Sequence, residues 1–339
     1  GLDDPVIEND FEPLTEGETT IWGDEHPAPT QIGIPHERAV CQWLDEQARK
    51  QLDAERPVDA DSLTTFRNRF GGAWQVILDQ QPNAQVDYHP TGEFQRDGMK
   101  ISKGWVRDAQ RGATLPLLTI KHNTQDSRVT VIWATAAGKS GAFNEQGQPT
   151  PLLKKLIDNG ATVMLPDLLH QGELSAEAIE ADKQRVIDDP RSYSAFTFGY
   201  NPTLVAHRSS DLRAIVNHVI KQQPDTISLL GTEGTASWTA AAAASAGASI
   251  DRAAIVTNHF RFADVQDYHD ANFVPGAVKY GDLPVLLALR APHALNVMGE
   301  DEIPEVLAQT YASVEAAEAL QHHVSNHIGD DIIRWLTRR

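Results

Sequence analysis

The chain has 339 residues, 41% of them apolar, enough to bury a large core as one main domain with an N-terminal extension. Its formal net charge of −18 argues against nucleic acid and anionic membrane surfaces as partners, because phosphate contacts need basic clusters. A single cysteine, Cys41, excludes an internal disulfide and a cysteine-based metal site, and no apolar run approaches the roughly 18 residues of a membrane span.

Residues 1–34 are acidic, proline-bearing and aperiodic, and read as an extended arm or linker without a signal-peptide pattern. Two helical patterns follow. Glu37 to Ala54 places Val40, Trp43, Leu44, Ala48 and Leu52 on one face, and Ser62 to Asp79 does the same with Leu63, Phe66, Phe70, Trp74 and Ile77. Cys41 falls in the first pattern and reads as a small buried residue rather than a nucleophile. Asp61 or Ser62 is the expected N-cap of the second. Residues 35–84 are thus expected to form a helical extension to a domain over 85–339.

From Gln85 the pattern becomes strand-like. Val86–His89, Met99–Val106 and Leu115–Lys121 predict antiparallel strands joined by turns at Arg96-Asp97-Gly98 and Arg111-Gly112. An alternation then sets in. Apolar runs at 129–133, 161–165, 226–230, 253–256 and 294–297 are separated by helical patterns at 152–158, 204–220, 235–246 and 283–289, and helices near 303–314 and 328–337 close the chain. Apolar strands alternating with helices predict a mostly parallel sheet covered on both faces, and the leading antiparallel strands make it mixed.

Sites in such sheets form beyond the carboxyl ends of the strands. The run 226–230 leads into Gly231-Thr232-Glu233-Gly234-Thr235 and then an alanine-rich helix. A strand, a sharp turn and a helix are the context of the nucleophile elbow of an α/β-hydrolase fold, whose usual pattern is Gly-x-Ser-x-Gly. Here Glu233 takes the place of the serine, and the last position is Thr235. A carboxylate can act as a nucleophile, but glutamate is one methylene longer than the aspartate that does so at similar elbows. Gly234 follows the centre, where its N–H would serve an oxyanion hole. Ser237, the nearest hydroxyl further on, lies inside the helix and is expected to pack there.

In the chain order nucleophile, acid, histidine, the acid should follow the run 294–297, where Asp301 in Gly299-Glu300-Asp301 is the candidate, with a helix N-cap as its other reading. The histidine should precede the final helix. His322, His323 and His327 all qualify, and His322 fits best if Val324-Ser325 starts that helix. The glycine-rich segment Ala134–Gly141 is the expected oxyanion loop, with Ala136 and Ala137 nearest the oxyanion. Asp167, after the next strand, would line the pocket or brace a loop. His323 and His327 are spaced to share a helix face, and His170, Glu173 and His259 are other possible metal ligands, but no third ligand completes a set. No metal or cofactor is expected.

Phe196-Thr-Phe-Gly-Tyr-Asn-Pro202, Ala206-His207-Arg208-Ser-Ser-Asp211, Phe260-Arg-Phe262 and Asn272-Phe-Val-Pro-Gly-Ala-Val-Lys-Tyr280 resemble the acetyl xylan esterase-like branch of the bacterial α/β-hydrolase family. So do Leu283-Pro284, Ala291-Pro292-His293 and, near the N-terminus, Gly71-Gly-Ala-Trp74. The resemblance runs through nearly the whole chain. It implies a serine-esterase site whose elbow centre, acid and histidine correspond to Glu233, Asp301 and His322, and an ester of acetylated carbohydrate as substrate. It also implies a secreted or periplasmic setting. The opening Gly1-Leu-Asp-Asp-Pro5 looks like sequence that follows another hydrolase domain, which implies the second, degenerate half of a tandem protein. Three functions compete: an esterase with an atypical elbow; a non-catalytic domain that binds carbohydrate or stabilises a catalytic partner domain; and a carboxylate-nucleophile hydrolase of the dehalogenase kind.

Overall fold

The computed structural model of the protein describes residues 10–30, 32–80, 85–125, 127–175, 182–187 and 193–338. The chain divides into two compact units, residues 1–47 and 48–339.

The first unit holds α1 (Glu16–Thr19) and most of α2 (Ile34–Ala54). Cys41 is exposed, contrary to the expectation that it is buried. The reason is its position on the helix: it shares a stripe with Glu37 and Asp45, one turn to either side, and such a stripe faces water.

In the second unit α3 (Ala60–Phe66), a π-turn over Arg67–Gly71 and α4 (Gly72–Ile77) form one helical run. Its N-cap is Asp59 rather than Asp61 or Ser62. The Asp59 carboxylate accepts the Ser62 N–H at 2.8 Å, and the Ser62 hydroxyl receives the Asp59 N–H at 3.0 Å, a reciprocal cap that starts the helix at Ala60 rather than Ser62. Leu63, Phe66, Phe70 and Trp74 belong to the core under the sheet.

The strands are β1 (Val86–Arg96), β2 (Met99–Asp108), β3 (Ala113–His122), β4 (Val129–Ala134), β5 (Ala161–Pro166), β6 (Thr226–Gly231), β7 (Arg252–Val256), β8 (Ala294–Met298) and β9 (Leu320–His323). They form one sheet in the order β1-β2-β3-β5-β4-β6-β7-β8-β9. Pairs from β1 to β5 by way of β3 are antiparallel, and the rest are parallel, as the alternation predicts. β9 is missing from the sequence reading because Gln321-His322-His323 offers no apolar run. Its place is fixed by pairing, with Val297 opposite His322 and Met298 opposite His323.

The helices of this part are α5 (Pro151–Asp158), α6 (Ala195–Phe198), α7 (Leu204–Lys221), α8 (Ala236–Ala246), α9 (Asp282–Ala288), α10 (Glu305–Ala312) and α11 (Asp330–Leu336). α7 to α10 pack one face of the sheet and α5 and α11 the other. Every residue of β4, β5 and β6 is buried, which is why these strands read as unbroken apolar runs. The alanines of α8 bring that helix close to β6. A Cβ at Gly231 would lie 2.6 Å from Thr239 Oγ1, so the strand must end in glycine where the helix folds back over it. Among the described residues no helix is long and apolar enough to cross a membrane.

Candidate active site

β6 delivers the chain to the carboxyl edge of the sheet at Gly231, and α8 begins at Ala236. Between them Thr232–Thr235 is a β-turn. The Thr235 N–H donates to Thr232 O at 3.1 Å, and the Thr235 hydroxyl donates to the same oxygen at 2.6 Å. Gly234, the third residue of the turn, has φ +80°, whereas Glu233 is not among the residues with positive φ. Positive φ at the third position alone defines a type II turn. A nucleophile elbow instead places the strain on its central residue. Here the central residue is relaxed, the glycine after it carries the unusual conformation, and the Glu233 side chain is exposed.

The loop after β4 lies against this turn. The Thr232 N–H donates to Ala134 O at 3.2 Å, and a Cβ at Gly234 would come within 3.2 Å of the Ala136 Cβ. Ala136 and Gly234, two of the residues expected to line an oxyanion site, are therefore neighbours. Ala136 and Ala137 are exposed. The loop is held from behind. Gln171 donates from Nε2 to Thr135 O and Ala136 O, both at 3.0 Å. Asp167, fully buried, accepts from the Lys139 N–H at 2.8 Å, from Lys139 Nζ at 2.7 Å and from the Glu173 N–H at 2.9 Å. Lys139 Nζ also contacts the Glu173 carboxylate. Asp167 is thus the brace of the loop. Gly138 and Gly172, with φ +65° and +47°, close around it, and a Cβ on either would fall on the Asp167 carboxylate.

Beyond β8 the structure distinguishes two adjacent acids. Asp301 is exposed, while Glu300 is only 3% exposed. The Glu300 carboxylate is gripped bidentately by Arg261, with Nη1 to Oε1 at 2.9 Å and Nη2 to Oε2 at 2.7 Å, and it accepts the Thr257 hydroxyl at 2.6 Å. Burial alone raises this carboxyl; the hydrogen bonds from Arg261 and Thr257 outweigh it and hold the group below the usual glutamate value. His259 Nδ1 stands 4.0 Å from Glu300 Oε2. Asn258 and His259, with φ +48° and +59°, are consecutive left-handed residues at the end of β7, a costly conformation for side-chain-bearing residues.

His322 lies in β9, half-buried, and its Nε2 is 2.7 Å from the main-chain oxygen of Glu300. α11 begins at Asp330, so Val324-Ser325 is loop and not the helix start that favoured His322 over its neighbours. His323 points to the opposite face, with Nε2 3.3 Å from Asn296 Nδ2. His323 and His327 do not share a helix, because β9 ends at His323 and the loop that follows carries His327.

Glu233, Asp301 and His322 therefore stand on one edge of the sheet, after or in β6, β8 and β9. Among the described residues no hydrogen bond or ion pair joins any two of them. Five concavities of about 290 to 750 Å³ are lined by other residues. Ser237 is 1% exposed and donates to Asn272 Oδ1 at 2.6 Å, so it packs within α8 as its sequence position suggests. Glu300, Arg261 and Thr257 dominate this edge, and none of them belongs to the site the sequence predicts; the signal in the sequence is a charged residue between two aromatics, Phe260-Arg261-Phe262, after a buried strand.

Neither a protein-family model nor a curated protein sequence matches the chain. Solved structures do. A candidate acetyl xylan esterase from Bacteroides fragilis matches with a TM-score of 0.61 at 15% identity, over 84% of this chain and 80% of that one. A methylesterase matches with a TM-score of 0.54 at 15% identity, over 86% of this chain and 67% of that one. An acetyl xylan esterase from Paenibacillus matches with a TM-score of 0.50 at 12% identity, over 85% and 98%. At these identities the likeness is one of fold. The chain has the α/β-hydrolase fold, in the form that acetyl xylan esterases and related carbohydrate esterases share. None of these likenesses bears on an adjoining hydrolase domain.

Proposed function

We propose that this chain is an esterase-type α/β-hydrolase domain that binds an ester-bearing carbohydrate without cleaving it by acyl transfer at its elbow. The observation that carries this reading is the turn at Glu233. An acyl-transfer elbow needs a strained nucleophile aimed at the substrate, with an oxyanion hole beside it. Glu233 is relaxed and exposed, and the strain lies on Gly234. The buried acid beyond β8 is also engaged: Glu300 has both oxygens on Arg261, and His322 meets its main-chain oxygen rather than its carboxylate. The likeness to acetyl xylan esterases supports carbohydrate esters as the ligand class, and a catalytic partner domain would then do the chemistry.

An active esterase with an atypical elbow is the second reading. It is favoured by Ala136 still standing against Gly234, and by His322 still lying beside Glu300. Incubation with acetylated xylo-oligosaccharides separates the two, with acetate release and binding heat measured on the same samples. Binding without acetate release is the expected result. Acetate release that disappears in His322→Ala overturns it.

A further inference from the structure

At the amino ends of β4 and β5, away from the elbow, the sheet face beneath the end of α7 is left open. A groove of about 590 Å³ lies there, lined by hydroxyl, amide, ammonium and guanidinium groups and one carboxylate, Glu93, with little hydrocarbon. Thr130 and Thr162 form its floor. They are cross-strand partners, 5% and 8% exposed, and their side chains share one face of the sheet. Among the described residues neither hydroxyl has a hydrogen-bond partner, and nor does that of Thr119 on β3. These hydroxyls open onto the groove rather than being sealed within the sheet, so water satisfies them in the free protein and the hydroxyls of a polar occupant can take its place.

The charges point the same way. Lys100 and Lys121 are directly opposite each other on β2 and β3 and both line the groove. Like charges in that relation repel. Lys100 is paired with Glu93 at 2.8 Å, and Arg128 with Asp225 at 2.7 Å, while Lys121 has no ion-pair partner among the described residues. The Glu93 carboxylate also lines the groove and offsets one of its three cations, Tyr88 adds a phenol, and His218 at the rim is held neutral by burial. The groove is therefore a locally cationic spot on a chain of net charge −18. Two amides, Gln222 and Gln223, complete the far wall.

We infer that this groove binds a small polyhydroxylated oxyanion, a sugar acid or a sugar phosphate, with the anion on Lys121 and Lys100 and the sugar hydroxyls on the threonine row. The site is separate from the elbow and independent of whether the elbow hydrolyses anything.

Titration calorimetry of the full chain with glucuronate, glucose 6-phosphate, glucose and inorganic phosphate tests it. At least one of the two sugar anions binds, and whichever binds tighter identifies the source of the anion. Glucose binds more weakly by about tenfold, the worth of one charge-assisted contact. Lys121→Gln and Thr162→Val each weaken the sugar anion, and Thr162→Val keeps the β-branched shape that the strand position favours, so the fold is retained. Glu233→Ser leaves the binding unchanged. No binding of either sugar anion overturns the inference. So does binding that survives Lys121→Gln, and so does inorganic phosphate matching the sugar anions, since the threonine row would then contribute nothing.

Discussion

Replacing Arg261 with methionine isolates what holds the acid at the edge of the sheet. Glu300 is 3% exposed, whereas the Arg261 side chain is 28% exposed. The two ends of this ion pair are thus unequally buried, and breaking it from either end should not cost the same. Arg261→Met leaves a buried carboxylate with only the Thr257 hydroxyl at 2.6 Å, an uncompensated charge worth about 3–5 kcal/mol. Glu300→Gln leaves the amide on Thr257 and lets Arg261 turn toward water, for about 1–2 kcal/mol. The double variant Arg261→Met/Glu300→Gln should lie well below the sum.

The pH dependence follows with a definite sign. In the wild type burial pushes Glu300 up, but Arg261 and Thr257 pull it below 4.5, so its contribution is present above that value and lost as pH falls through the folded value. Without Arg261 burial prevails and the carboxyl rises above 4.5. The folded state then takes up a proton before the unfolded chain does, and the deficit of Arg261→Met shrinks on acidification. Urea unfolding followed by tryptophan fluorescence, at neutral pH and near pH 5, measures both effects. Equal losses for the two single variants, or a deficit that stays constant with pH, would refute the reasoning.

Three further outcomes are expected. Gly172→Ala forces a side chain into φ +47° and onto the buried Asp167 carboxylate, and should cost about 2–4 kcal/mol in chemical unfolding. Arg290, 1% exposed, donates to Ala294 O, Ala243 O, Gly247 O and Ile250 O at 3.3, 3.2, 3.2 and 2.6 Å, closing the end of α8; Arg290→Leu orphans these carbonyls and should lower stability by about 3–5 kcal/mol, read as a drop in Tm. His218, 7% exposed and stacked on Tyr88, is pushed by burial from 6.5 to about 4, so its neutral ring stabilises the fold above 6.5 and that contribution is lost as pH falls toward 4. His218→Phe keeps the stacking and should flatten that limb of the stability–pH curve.

The order of strands and helices was legible because burial on both faces leaves its mark as apolar runs. β4 to β8 end within a residue or two of where those runs end. The elbow was legible for the same reason: β6 is wholly buried, and a glycine must follow where α8 crosses it. The burial of the acids after β8 was not. Glu300 and Asp301 are adjacent, and one residue of register decides which carboxylate turns inward; no periodicity spans a two-residue turn after Gly299, whose φ of +77° sets the direction. The histidine was not legible either, because its placement depends on β9, an edge strand specified by pairing rather than by hydrophobicity. The threonine groove has a trace in the sequence. Val129-Thr-Val-Ile-Trp133 and Ala161-Thr-Val-Met-Leu165 each carry a threonine at the second position, and parallel pairing in register turns that coincidence into a row of hydroxyls.

Restoring a serine at the elbow should not by itself restore an esterase. The scaffold around Glu233 is intact: the Asp167 brace, the Gln171 ties to the loop and the approach of Ala136 to Gly234 all persist. If side-chain identity were the whole defect, Glu233→Ser would yield a burst of p-nitrophenolate from p-nitrophenyl acetate that vanishes in the added His322→Ala change. The turn argues otherwise. Positive φ at Gly234 rather than at residue 233 gives a type II geometry, closed by the Thr235 N–H and hydroxyl on Thr232 O. Types II and II′ are mirror images in which the central peptide faces opposite ways. A serine in this turn inherits the relaxed backbone, so its hydroxyl is not aimed as a strained nucleophile is, and the Gly234 N–H is turned with the peptide. Moving positive φ onto residue 233 also requires a residue that tolerates it, which serine does only at a cost of roughly 1–2 kcal/mol. The expected result for Glu233→Ser is turnover no higher than that of the wild type. A burst dependent on His322 in that single variant would mean that the turn reorganises freely, and that the nucleophile was the only part lost.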